Sequence, residues 1–302
     1  MDTSNIEDLS KLLGKYKLQI GENVKSKEAF NYLWSKGSRL IDLGPYDNSN
    51  NDLYLEHKED CIFCKQFSLN DEYVYNETGY HIYDTDDNIL SSAIDKIFQK
   101  QLKLYDLKFF HMYIVTDIFK ENYYRLPEEN LILYNRIFNI LKEYKQKGLI
   151  KHLGFMSDIS YQNLKIFMNQ VFKNFVNDID FTFVPFNFLS YNSENRSIYN
   201  IDIKDTPGEM GLSLLKTFKL TNISINPFEG GLLNKVIPIY EKEHPYINLK
   251  ALNYKSILDC NNIDYILLGS SNLKHLKEID YIYNAKIQAG NVIKFLSSDK
   301  CL

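Results

Sequence analysis

No stretch of this 302-residue sequence approaches the roughly 18 uninterrupted apolar residues that a membrane-spanning helix requires, so no membrane span is expected. No basic block stands out either. The net charge is −4, and a mildly acidic chain is by default a poor partner for nucleic acid. The first 13 residues carry Asp2, Glu7 and Asp8 and no apolar centre, so they do not read as a signal peptide. A cytoplasmic protein is expected, with its four cysteines, Cys61, Cys64, Cys260 and Cys301, reduced. Tryptophan occurs once, at Trp34. No Pro/Gly/Ser-rich linker divides the chain, and no short-period repeat is visible. No GxGxxG follows the first apolar run, which counts against an open dinucleotide-binding sheet.

What is present suits a folded domain. Hydrophobic residues make up 44% and charged residues 25%, which excludes disorder. The 23 tyrosines and 19 phenylalanines, with abundant Asn, Lys and Ile, read as the codon choice of an AT-rich genome rather than an aromatic function. Short apolar runs alternate with longer helical patterns. Strands are expected at 17–21, 39–43, 60–67, 107–114, 150–155, 179–185, 222–226 and 265–268. Helices are expected at 26–36, 87–104, 127–147, 160–175, 208–218, 249–258 and 272–283. Strict alternation argues a parallel sheet, and about eight units in this length predict a closed (β/α)8 TIM barrel. A single domain over 1–302 is expected, with a tail at 285–302 that lacks a clear pattern.

A barrel of this kind carries its chemistry at the C-terminal ends of the strands. On the expected boundaries three polar side chains stand there: Asp42 in IDLGPYD, Lys65 in CIFCK and His111 in DLKFFHMY. From here the chain resembles the aldo-keto reductase superfamily, over roughly residues 17–280. IDLGPYD is similar to the family's D-T-A-x-x-Y-G segment, KEDCIFCK to the strand ending in its lysine, and YDLKFFHMY to the strand carrying its histidine. LKEYKQKGLIKHLGFMS, VPFNFL, INPFEGGLLN and LLGSSNLKHLKEI resemble four further family segments in the correct order. The D-L-G-P-Y spacing leans toward the branch of sugar-aldose and sugar-lactone dehydrogenases.

The resemblance implies interconversion of a carbonyl (aldehyde, ketone or sugar) and an alcohol, with NADP(H), or NAD(H), as cofactor. It implies four catalytic side chains, Asp42, a tyrosine, Lys65 and His111. Hydride reaching a carbonyl carbon leaves an alkoxide, which needs a positioned acid. Lys⁺ lowers the pKa of the phenol, Asp42 holds the lysine, and the histidine orients the oxygen. The family's acid falls five residues after the aspartate, where this chain has Asp47. Tyr46 falls at four and is favoured, since loops absorb a single deletion. A carboxyl at 47 beside Lys⁺ would stay ionised and donate no proton at neutral pH. An alternative reading is a catalytically impaired binding or regulatory protein on the same scaffold. It is motivated by Phe183 and Ile225, which stand where the family has a nicotinamide-binding Gln and a stacking aromatic.

The resemblance places cofactor contacts at Ser157, Asn187, Asn226, Phe228, Gly231, Gly269, Ser270, Ser271, Asn272 and His275. Gly230 and Gly231 would let backbone N–H groups approach a pyrophosphate, and Ser271 or Asn272 would cap the last helix as an anion site. Lys274, His275 and Lys277 either meet a 2′-phosphate or form a solvated face. No metal site is expected. Cys61 and Cys64 fall on opposite faces of a strand and read as core thiols. The DTDD run at 84–87 reads as helix capping. His57, His81, His152 and His244 read as surface or loop residues.

Overall fold

The computed structural model of the chain describes residues 8–45, 53–83, 86–117, 127–187, 197–198, 201–202, 206–228, 233–243 and 248–284. In chain order the elements are α1 (Leu9–Leu13), β1 (Leu18–Ile20), α2 (Lys27–Lys36) and β2 (Leu40–Asp42). A 3-10 turn (Leu55–Asp60) leads into β3 (Ile62–Ser68), α3 (Asp71–Thr78), α4 (Asp87–Leu104), β4 (Phe110–Thr116) and α5 (Pro127–Gln146). Then come β5 (Ile150–Met156), α6 (Tyr161–Gln170), a 3-10 turn (Phe172–Asn174), β6 (Ile179–Pro185), and the two-residue strands β7 (Ser197–Ile198) and β8 (Ile201–Asp202). The chain continues with α7 (Gly208–Thr217), β9 (Thr221–Ile225), α8 (Leu233–Glu243), α9 (Leu249–Asp259), β10 (Tyr265–Leu268) and α10 (Leu273–Asn284).

Eight parallel strands close into a barrel in the order β1-β10-β9-β6-β5-β4-β3-β2, while β7 and β8 pair antiparallel outside it. The (β/α)8 TIM barrel expected from the alternation is the fold. The helix at 87–104 and the strands at 179–185 and 265–268 have their expected bounds. The short helices α1, α3 and α8 had no counterpart in the sequence reading. The consequential difference is β4, which begins at Phe110 rather than 107 and runs to Thr116 rather than 114.

The eight barrel strands are buried on both faces over most of their length, as parallel strands under helices must be. Alternate residues divide between two apolar layers. Leu40, Ile62, Cys64, Met112, Ile114, Phe181, Phe183, Ile223, Ile225 and Leu267 fill the lumen. Ile41, Phe63, Phe67, Tyr113, Val115 and Phe155 pack outward among the helices. Cys61 and Cys64 therefore sit on opposite faces, both buried, as the strand period requires. Gly154 is needed where it stands, because a Cβ there would lie 2.6 Å from the Phe181 ring. Leu9 and Leu13 of α1 join the lumen cluster beside Leu40, Ile62 and Tyr265, the first residues of their strands, and so close the barrel floor.

The helix starts follow local chemistry. Ser26, Asp86, Ser160 and Asn248 each accept a backbone N–H of the first turn from the N-cap position. Asp280 of α10 accepts from the Tyr16 and Tyr32 hydroxyls, both at 2.9 Å, and pairs with Lys36 at 2.8 Å, binding the last helix to α2 and to the lead into β1. Among the described residues no helix is long and apolar enough to cross a membrane.

Candidate active site

At the C-terminal mouth of the barrel lies a cavity of about 540 Å³, within the range of roughly 300–1,000 Å³ usual for small-molecule sites. Asp42, the last residue of β2, is 6% exposed and lines it. Gln66 donates from Nε2 to both carboxylate oxygens, at 2.8 and 3.0 Å, and the Gly44 N–H donates to Oδ1 at 3.0 Å. Burial, reinforced by the nearby Glu22 charge, pushes the Asp42 carboxyl up to about 7.

Lys65 does not join Asp42 in the lumen. The register pairs Asp42 with Cys64, so Cys64 and Gln66 share its face and Lys65 points the other way, with Phe63 and Phe67. Its ammonium is fully buried behind the sheet, 5.6 Å from the Tyr105 ring centroid. It donates to the carbonyls of Gly44 (3.0 Å) and Pro45 (3.3 Å). The amide of Gln66 stands where a lysine was expected. The physical reason is the two-residue period: a lysine one position from the lumen face is on the helix face.

His111 is likewise displaced. It is the second residue of β4, five residues and about 16 Å of strand from the mouth at Thr116. It lies near the floor, its ring 4.9 Å from that of Phe109, with His152 and Lys151 close by. Burial drives its pKa down to about 4. The three residues expected to converge thus occupy the mouth, the back of the sheet and the floor. Tyr46 and Asp47 lie outside the described residues. His152, expected at the surface, is 2% exposed in β5.

The mouth residues that sequence reasoning missed are Glu22, Gln66, Thr116 and Asp117, all lining the cavity. Asp117 accepts a hydrogen bond from Ser68 Oγ, and its backbone adopts a left-handed φ of 65°. Asn226, also at the cavity, has φ 47°. Non-glycine residues in this region are uncommon and concentrate at functional sites, with Asp and Asn the most tolerant. An aspartate directly after an apolar strand, as in MYIVTD, was the available signal for Asp117.

The residues expected to contact a cofactor are more nearly gathered in one place. Asn226, Phe228, Gly269, Ser270 and His275 line the same cavity as Asp42. Ser157 follows β5 between Met156 and Asp158, which also line it, and its buried Oγ has no hydrogen-bond partner among the described residues. The ring of His275 packs edge-on to Tyr254 and Phe228, at 6.0 and 6.4 Å between centroids. Its Nδ1 meets Ser270 Oγ at 3.2 Å, leaving a buried Nε2 without a partner among the described residues. Asn187 is buried after β6. Ser271 is spent on the β1–α2 loop, donating to the Asn23 carbonyl and accepting from the Lys25 N–H, and Asn272 Oδ1 accepts the His275 N–H. Both are exposed and away from the cavity lining. Lys274 and Lys277 face a groove between α9 and α10 instead. Gly230 and Gly231 lie outside the described residues. Ile225 lines the cavity and Phe183 fills the lumen, so neither supplies an amide or a stacking ring there.

These features define a (β/α)8 barrel with a ligand cavity at its strand ends. No family model and no curated protein sequence matches the chain. Solved structures do. The holo form of an aldo-keto reductase from Bacillus halodurans superposes with a TM-score of 0.59 at 12% identity, covering 96% of this chain and 95% of that one. An aldo-keto reductase from Klebsiella pneumoniae in complex with NADPH gives 0.61 at 9%, covering 95% and 93%. The aldose reductase of Schistosoma japonicum gives 0.59 at 11%, covering 95% and 89%. The chain therefore has the fold of aldo-keto reductases along nearly its whole length.

Proposed function

We propose that the protein is an oxidoreductase that binds NADP(H) along the mouth cavity and interconverts a small carbonyl compound and its alcohol. The observation that carries this reading is the convergence of Asn226, Phe228, Gly269, Ser270 and His275 on the cavity that Asp42 lines. Two orphaned buried atoms suit the group. Ser157 Oγ can hold a carboxamide, and His275 Nε2 can meet the far end of the nucleotide. When bound, the cofactor supplies a hydride. The chain's own residues place the carbonyl above it and exclude water with Ile225 and Leu267. Neither Lys65 nor His111 lines this cavity, and the reading assigns them no contact with the reacting atoms.

A second reading, a barrel that retains the nucleotide without turnover, is favoured by that same absence of Lys65 and His111 from the cavity. Titration of the purified protein with NADPH, followed by nicotinamide fluorescence, and NADPH consumption with 4-nitrobenzaldehyde, glyceraldehyde and xylose separate the two. Saturable binding with turnover is the expected result. Binding without turnover selects the second reading, and no binding overturns both.

A further inference from the structure

We infer that Asp42 is the proton-transfer residue of this cavity, giving its carboxyl proton to the substrate oxygen, and that Glu22 relays the replacement proton from solvent. The inference rests on the oxidoreductase reading and adds the group that completes its chemistry. Hydride addition to the carbonyl carbon pushes the C=O π pair onto oxygen. That oxygen takes the Asp42 proton, leaving an alcohol and an Asp42 carboxylate, and a proton from solvent then restores the acid. Alcohol oxidation runs through the same groups in reverse.

Three features of the site carry this. The first is access. Asp42 is the last residue of β2, held with its oxygens at the cavity by Gln66 and the Gly44 N–H. Gln66 fixes the carboxyl through an uncharged amide. A lysine in the same place would favour the ionised form, which has no proton to give. The second feature is a route. A separate chamber of about 50 Å³ lies behind Asp42, lined also by Glu22, Lys25, Tyr54 and Tyr105. A water needs roughly 10–15 Å³ measured this way, so the chamber admits a small chain of them. Asp42 and Glu22 line both the chamber and the cavity, and Glu22 opens to solvent at the rim.

The third feature is Gly44. Its φ is 71°, and a Cβ on it would lie 2.1 Å from Glu22 Oε2, so the glycine lets the two carboxyls share one neighbour. The charged groups whose fields reach Asp42 are Glu22 from the β1–α2 loop and, through the sheet, Lys65 from β3, with the Cys64 thiol beside it. Burial and Glu22 outweigh the hydrogen bonds from Gln66 and Gly44 and the Lys65 ammonium, all of which favour the ionised form, and place the carboxyl's midpoint at about 7.

The test compares wild type, Asp42→Asn and Glu22→Gln, using NADPH with 4-nitrobenzaldehyde. In wild type the kcat for reduction is expected to fall as pH rises through about 7, because the ionised form cannot donate. Asp42→Asn should lose about 100-fold or more in kcat with the Kd for NADPH unchanged. Glu22→Gln should move the inflection to lower pH, since a like charge is gone. Unchanged kcat and pH profile in both variants overturns the inference. Should Asp42→Asn fail to fold, the Glu22→Gln shift decides alone. An infrared titration of the protonated-carboxyl stretch, absent in Asp42→Asn, reads the same proton without turnover. An Asp42 already ionised well below pH 7 overturns the inference even if NADPH is consumed. A wild type that binds no NADPH instead removes the oxidoreductase reading.

Discussion

At the mouth of the barrel a carboxyl is buried and hydrogen-bonded by Gln66 and Gly44. At the floor one histidine, His152, is buried and another, His111, half-buried, and His152 lies 3.7 Å from Asp180, whose Oδ2 is already taken by Lys145 and the Leu153 N–H. The same physics acts at both ends: removing a group from water favours its neutral form, which raises an acid and lowers a base. Asp42 is pushed up to about 7 and His111 down to about 4. Only one of the two faces a cavity. Position along the strand, rather than residue type, separates a group with chemistry to do from one that only costs stability on acidification. Lys65, fully buried behind the sheet, is a third case, a charge spent on backbone carbonyls.

The strongest way to break this comparison is at Lys65. Lys65→Met keeps the length of the side chain but leaves the Gly44 and Pro45 carbonyls without that donor. The expected cost is about 3 kcal/mol of stability, measured by urea denaturation. NADPH affinity should stay within about threefold, or about 0.7 kcal/mol. If affinity or turnover collapses while stability holds, the amine acts at the mouth and the division between the two faces of β3 is wrong.

The floor offers the next largest effect. The folded pKa of His111, near 4, lies below the ordinary value of 6.5, so protonation favours the unfolded chain. Stability from this group is intact above pH 6.5 and drains away as pH falls toward 4. His111→Leu should flatten that limb by on the order of 2 kcal/mol, with partial exposure of the ring discounted, and leave turnover at neutral pH unchanged. A variant whose acid denaturation matches wild type would show that His111 is not held neutral by its surroundings.

The contrast between the two ends also marks what was legible in the sequence. The barrel was legible because periodicity survives divergence: α4, β6 and β10 have the bounds their apolar spacing predicts. The lining of the mouth cavity was partly legible, through Asn226, Phe228, Gly269, Ser270 and His275. The tetrad was not. Parallel strands are apolar on both faces, so KEDCIFCKQF does not announce which of Lys65 and Gln66 looks inward. FFHMYIVT is apolar at each end and marks no strand end, so His111, five residues short of the mouth at Thr116, reads as if it stood at the rim. A one-residue error reverses the face and a five-residue error reverses the end of the barrel.

The smallest effects sharpen the comparison within the strip of the cavity proposed to hold the nucleotide. His275 and Lys274 are neighbours on α10, yet His275 lines the cavity and Lys274 the groove beside α9. Burial lowers the His275 pKa, so it meets a ligand as a neutral ring with Nε2 unpaired, not as a cation. His275→Ala should weaken NADPH binding about tenfold, the value of one buried hydrogen bond at roughly 1.4 kcal/mol, with little dependence on salt. Lys274→Ala should change it by less than about twofold, or about 0.4 kcal/mol. Because a neutral imidazole draws no special strength from a 2′-phosphate, the His275→Ala loss should be equal for NADPH and NADH. A much larger loss for NADPH would mean that His275 is charged in the complex, and that the ligand reverses the effect of burial on this ring.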